Sequence, residues 1–412
     1  MIRKRLETKA IREMKKMKIE RISNLEREAV LDVLETNFRS SSGSKYMTLL
    51  ENEFTKTFNK KFGISFVNGT ATMHACLEAW GIGAGDEVII TPLTMSSTTF
   101  CVLQSNATPV YADVCPETYN ISPESIIKNI TENTKAIIPV SIFGLSPDME
   151  KIMEIAKKYN LKVLEDNAET FLGKYKNKIV GTYGDAASYS FQSSKHLTSG
   201  EGGMVITDDE DFALKLRRVQ SLGYAGLSTS KAKISKDDIQ NPNYSRHASL
   251  GWNYRMPELC CAVAYAQTKR IEELTNIRKE VGKIFNNAVR GYEEYLTPQK
   301  VPIDSVHSYW TWVAKLNHEY SWDFFRKCFI NNGGDKFYGC WKLGYQEPVM
   351  QNLDILGREK FLTYTAYHRG LCPIAEDLQK RLICLKTNYW DLSKAVEQAD
   401  ILKKTCQEIF KP

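Results

Sequence analysis

From about residue 63 the chain alternates between short apolar runs and longer stretches of helical periodicity. The runs "GISFVN", "DEVIITP", "TPVYAD", "KAIIPVS", "LKVLED", "AASYSF" and "GGMVITD" have the length of buried strands. Between several of them lie segments such as "ATMHACLEAWGI" and "DMEKIMEIAKKY", whose apolar residues recur at every third or fourth position. Strands fed by helices in this way predict an α/β domain built on a mostly parallel, seven-stranded sheet. The runs near residues 187 and 204 leave no room for a crossover helix between them, so an antiparallel strand is expected there.

The pattern changes at both ends. After Arg255-Met256-Pro257 one long helix is predicted through "ELCCAVAYAQTKRIEELTNIRKEVGKIFNNAV". Beyond about residue 290 short strands ("SYWTWVAKL") and helices ("LSKAVEQADILKKTCQEIF") predict a second, smaller α+β domain. The first twenty residues read as a basic amphipathic helix, with Ile2, Leu6, Ala10 and Met14 on one face. Glu7, Glu13 and Glu20 weaken a membrane-surface or nucleic-acid role and favour an arm packed on the body or on a partner subunit. Ser23-Asn24-Leu25-Glu26 has the spacing of a capping box opening the next helix. These signals divide the chain into an arm (1–22), a large domain (23–275) and a small C-terminal domain (276–412).

Composition narrows the class. A chain of 412 residues with 42% hydrophobic residues can bury a large core, and nothing in its balance points to disorder. The formal charge of +6 suits an anionic small molecule and is too diffuse to argue for nucleic acid. The ten cysteines form no C-x-x-C pair and sit in apolar contexts such as "MHACLEAW", which reads as reduced thiols rather than disulfides or zinc ligands. With no signal-peptide core and no run of membrane-spanning length, the expected location is the cytoplasm. The six histidines are scattered without metal spacing, and neither a Walker A loop nor a Rossmann G-x-G-x-x-G is present.

Ligands of open α/β sheets bind at the carboxyl ends of the strands. Asn68-Gly69-Thr70-Ala71 follows "GISFV" and opens a helix, a candidate phosphate site that elsewhere is often only a helix cap. Asp166 closes "LKVLED", and Ser190 ends "AASYS". Lys195 follows in "SFQSSKHLTSGEGG", among hydroxyls and ahead of Gly200, Gly202 and Gly203. Asn253 stands in "GWNYR", before the long helix. A lysine for a Schiff base, a carboxylate for a pyridinium nitrogen and a phosphate cradle are what pyridoxal phosphate requires.

These segments, with "NGTAT", "GDEVIITPLT", "VLEDNAET", "GWNYRMPELCCAVAYAQ" and "CPIAE", stand in the order seen in sugar aminotransferases of the DegT/DnrJ/StrS type, which the chain resembles over roughly residues 20 to 400. The resemblance implies a fold-type I pyridoxal-phosphate enzyme with an aspartate-aminotransferase-like large domain, acting as a homodimer with active sites at the interface. It implies Lys195 as the Schiff-base lysine and Asp166 as the partner of the pyridinium nitrogen. Gly69, Thr70, Ala71 and Ser190 would surround the phosphate, with Asn253 reaching the neighbouring subunit's. It further implies that L-glutamate donates an amino group to a keto sugar, nucleotide-linked or otherwise anionic, for surface polysaccharide or secondary-metabolite synthesis. Two alternatives stay open: a dehydratase, in which a histidine replaces the lysine (His196 is the neighbour here), and a sensor that has lost turnover.

Three positions depart from the family pattern. Met95 stands where an aromatic residue usually covers the pyridine ring, and Glu169, a cofactor-binding position near the phenolic oxygen by the same resemblance, stands where glutamine is usual. Trp310-Thr311-Trp312 replaces a His-x-aromatic pattern. His196, Tyr224, Tyr244, His247 and Trp310 are the candidate substrate residues.

Overall fold

A computed structural model describes residues 18–38, 43–229 and 234–410. Of the amphipathic helix expected over the first twenty residues, residues 1–17 lie outside the described residues, and residues 18–20 are extended rather than helical, Lys18 bridging to Asp391. All seven apolar runs form strands: β1 (Phe62–Phe66), β2 (Glu87–Ile90), β3 (Thr108–Tyr111), β4 (Thr134–Ile138), β5 (Lys162–Asp166), β8 (Ala186–Ser190) and β9 (Gly203–Thr207). They make one sheet in the order β1-β9-β8-β5-β4-β2-β3. Pairing is parallel from β8 through β5, β4 and β2 to β3, while β9 runs antiparallel to both β1 and β8. The absence of a crossover helix between β8 and β9 has the expected consequence.

Local chemistry sets the helix starts. Asn68, Asp148 and Asp209 each accept a first-turn backbone N–H at the helices Gly69–Trp80, Met149–Tyr159 and Glu210–Gln220. The capping box forms as read, with the Ser23 N–H donating to Glu26 Oε2 at 2.7 Å. Between β5 and β8 lies a hairpin the apolar pattern did not reveal, β6 (Lys174–Tyr175) and β7 (Lys178–Ile179). Its turn residues Lys176 and Asn177 both have positive φ, as a tight hairpin of this twist requires.

The single long helix predicted after residue 257 is two helices, Glu258–Lys269 and Ile271–Ala288, broken at Arg270 (φ −107°, ψ 11°). Arg270 turns away to pair with Glu26 at 2.8 Å and to donate to the carbonyls of Glu20 and Arg21. The break keeps the apolar stripe in phase, so periodicity alone does not expose it. Beyond it, β10 (Leu296–Pro298), β11 (Thr311–Leu316) and β12 (Leu382–Lys386) form an antiparallel three-stranded sheet. The helices Trp322–Asn331 and Leu392–Ile409 and the Ile271–Ala288 helix share one buried core with this sheet. Residues 18–19 run alongside, the Ile19 N–H donating to Trp390 O at 2.9 Å. All ten cysteines are free thiols, and no described helix is long and apolar enough to cross a membrane.

Candidate active site

The carboxyl ends of β1, β2, β5 and β8 open into one cleft of about 560 Å³, lined on the far side by Trp310 and Trp341. Gly69, Thr70, Met95, Asp166, Glu169, Ser190, Lys195 and Trp310 all line it. The structure thus brings together residues spread over more than half the chain.

At one end of the cleft the helix Gly69–Trp80 presents its first turn. The N–H groups of a first helical turn lack intrahelical acceptors. The Asn68 side chain takes that of Ala71 at 2.8 Å, so Ala71, which does not line the cleft, has its N–H already engaged. A Cβ placed on Gly69 would lie 2.8 Å from Ser190 Cβ, so glycine is what lets this turn sit against the end of β8. Gly203 serves the same packing from β9, where a Cβ would lie 2.8 Å from the Asn68 carbonyl carbon and oxygen.

At the floor, Asp166 is buried. Its Oδ2 accepts from Thr98 Oγ1 and its Oδ1 from the Ala168 N–H, both at 3.1 Å. Burial pushes this carboxyl above its ordinary range, while Ala168, Lys195 and Thr98 pull it back. Thr98 escaped the sequence reading, although its hydroxyl-rich stretch after β2 ("TPLTMSST") was the available signal.

Lys195 is 9% exposed, on a turn held by its own hydroxyls and amides. Gln192 Oε1 accepts from both the N–H and Oγ of Ser194 at 2.7 Å, and the Lys195 N–H donates to Gln192 O at 3.0 Å. From the small-domain side, buried Arg278 donates to the carbonyls of Ser194 (2.8 Å), Lys195 (2.9 Å) and Trp310 (3.0 Å). One guanidinium therefore ties the lysine's backbone to Trp310, the residue that leads into β11. The Lys195 ammonium sits 4.4 Å above the Trp310 ring and 3.5 Å from Glu169 Oε1. Trp310 is offset-stacked on Trp341 (5.7 Å, 14°), and Trp341 in turn on Phe143 (5.9 Å, 6°). Met95 is half exposed at the cleft mouth.

The remaining substrate candidates lie elsewhere in this chain. His196 is fully buried, pairs with Ser308 O at 2.9 Å and does not line the cleft. Burial, with Arg278 and Lys195 nearby, holds its imidazole well below the usual range. Tyr224 and His247 stack on each other (4.9 Å), and the Tyr244 OH donates to Ala225 O at 2.7 Å. With Asn253, which bridges to Ser221, they belong to the segment 221–255, away from their own chain's cleft.

Comparison with known proteins agrees with this geometry. The sequence profile described as the DegT/DnrJ/EryC1/StrS aminotransferase family matches residues 20–396. GDP-perosamine synthase of Escherichia coli O157:H7 is 34% identical over 289 residues, 70% of this chain and 74% of that protein. Spore coat polysaccharide biosynthesis protein SpsC of Bacillus subtilis (strain 168) is 34% identical over 298 residues, 72% of this chain and 75% of that one. Among solved structures, an aminotransferase from Psychrobacter cryohalolentis superposes with a TM-score of 0.83 at 28% identity, covering 94% of this chain and 97% of its own.

Proposed function

The chain belongs to the DegT/DnrJ/EryC1/StrS aminotransferase family of pyridoxal-phosphate-dependent enzymes, and from that premise we propose that it transfers the amino group of L-glutamate to a nucleotide-linked keto sugar. The product would feed a surface polysaccharide or a secondary metabolite. The similarity to a GDP-perosamine synthase and to a spore coat polysaccharide protein supports both the nucleotide carrier and the polysaccharide destination.

The observation that carries the reading is the meeting of Lys195, Asp166 and the Gly69-Thr70 turn in one cleft. These residues fit pyridoxal phosphate. The turn offers free N–H groups beside Ser190, against which it packs too closely for a Cβ at Gly69, and a buried carboxylate stands beneath. In this proposal Gly69, Thr70 and Ser190 hold the phosphate, Asp166 holds the ring nitrogen protonated and Lys195 is the covalent anchor. Met95 covers the ring with a polarisable thioether rather than an aromatic plane. The cofactor supplies an electron-withdrawing ring that carries the amino group between two substrates. The chain's own contribution is positional and protonic: displaced by the amino donor, Lys195 Nζ is free to move the proton at the donor's Cα. Trp310 and Trp341 keep water from that nitrogen.

We place Asn253, Tyr224, Tyr244 and His247 at the neighbouring subunit's cleft in a homodimer, which accounts for their distance from their own. Leu250, 82% exposed, and the exposed Trp252 beside them supply apolar surface for such an interface. The test is a pair of half-reactions followed by absorbance. L-glutamate alone should bleach the visible band of the loaded protein, a keto-sugar nucleotide should restore it, and Lys195→Ala should abolish both. A band that no amino donor changes would favour a sensor over an aminotransferase.

A further inference from the structure

Glu169 is a buried acid whose charge the fold does not require. It follows β5, and its Oε2 accepts the Phe143 N–H at 2.9 Å. A neutral amide would serve that bond equally well, without the cost of burying a charge. Its Oε1 lies 3.5 Å from Lys195 Nζ, with the glutamate side chain 4% and the lysine side chain 11% exposed. The ammonium is therefore flanked by a carboxylate and by the face of Trp310, two groups that favour a cation.

We infer that Glu169 is the proton partner of Lys195: it pairs with the ammonium while that nitrogen is free of the cofactor, and accepts its proton when the lysine must act as a base. In the step an N–H bond at Nζ breaks and an O–H bond at Glu169 Oε1 forms, leaving a neutral amine and a neutral acid; the reverse step restores the pair. The lysine's use in turnover rests on the function proposed above, whereas the pairing itself does not.

The groups facing this pair leave the assignment to few participants. Asp166, on β5, repels a charge on Glu169, and Lys195 attracts it. The thiols of Cys340 and of Cys384 on β12 approach from the small domain and are held neutral by burial. His196, next to Lys195, is also held neutral, and Arg278 contributes its charge at the carbonyls of Ser194, Lys195 and Trp310. Burial raises the Glu169 carboxyl above its usual range, the condition under which it can take a proton from an amine near neutrality.

Glu169→Gln keeps the shape and the acceptor for the Phe143 N–H but removes the charge. Removing a full charge at this distance in a site with little water should favour the neutral Lys195 amine about tenfold or more. Two titrations read it: the pH midpoint of the visible band in the cofactor-loaded protein, and the pH dependence of trinitrobenzenesulfonate labelling at Lys195 in the cofactor-free protein, followed by peptide mass. Both midpoints should fall in Glu169→Gln, and Glu169→Asp should recover part of the shift. Midpoints within about 0.3 unit of the natural protein in both titrations would overturn the inference. Failure of the cofactor reading would show separately, as a missing visible band in the natural protein, while the labelling shift would still report the pairing.

Discussion

Replacing Arg278 by methionine should loosen Lys195 without touching the cleft's polar lining. Methionine follows the aliphatic stem, is apolar, and leaves the buried Lys195 carbonyl without its donor 2.9 Å away, while the carbonyls of Ser194 and Trp310 keep Trp310 Nε1 (3.1 Å) and Thr387 Oγ1 (2.9 Å). A hydrogen bond from a charged donor contributes about 1.5–3 kcal/mol, and an unpaired buried carbonyl costs about 1–3 kcal/mol. Against this stands the relief of a buried guanidinium whose charged form burial disfavours. The balance is a cost of about 3 kcal/mol, most of it at the Lys195 carbonyl. With an m-value of about 3 kcal/mol/M, the urea midpoint should fall by about 1 M or more. Arg278→Lys, which keeps the charge but not the three-way fork, should fall between. Cofactor occupancy should drop alongside, since Trp310 and the Lys195 turn are held by the same side chain. A midpoint within about 0.3 M of the natural protein, with occupancy unchanged, would refute the idea that Arg278 ties the two parts together.

Three further outcomes are expected. Gly69→Ala places a methyl 2.8 Å from Ser190 Cβ; overpacking of about 1–3 kcal/mol should weaken pyridoxal-phosphate binding about tenfold or more, as read by equilibrium dialysis. Glu51→Gln breaks a buried bidentate pair with Arg217 (2.8 and 2.6 Å) beneath β1 and should cost about 3 kcal/mol in urea unfolding. His307 accepts the Tyr309 N–H at 2.8 Å, and burial holds its folded value down to about 3. Because the unfolded chain takes up that proton first, this contribution is complete above the unfolded value of about 6.5 and is lost as pH falls from there toward 3. The stability advantage of the natural protein over His307→Gln should therefore shrink by on the order of 2 kcal/mol between pH 7 and pH 5.

The seven strands were legible because parallel-sheet strands are covered on both faces and read as continuous apolar runs. Asp166 and Lys195 were legible for the complementary reason: polar residues at or just past the ends of such runs stand out. The break at Arg270 was not, because one residue out of helical geometry leaves the apolar stripe in phase, and its cause is Glu26, far away in sequence. Arg278 and Trp341 were missed likewise, since each reaches the site through a contact across the fold rather than through a local pattern, whereas Thr98 was missed despite the hydroxyl-rich stretch that carries it. Ala71 shows the limit of motif transfer: the residue lies in the matching turn, yet its N–H is spent on Asn68. The departures Met95, Glu169 and Trp310 all line the cleft, so the positions where the chain leaves its family's pattern are positions that face the chemistry.

The central claim is that Lys195 carries the cofactor. Pyridoxal phosphate should be added to the purified protein, the product reduced with borohydride, and the tryptic peptides weighed. The account predicts a phosphopyridoxyl group on the peptide containing Lys195 and its loss in Lys195→Ala. An unlabelled Lys195 in a folded, phosphate-saturated protein, or label spread over surface lysines, would contradict it.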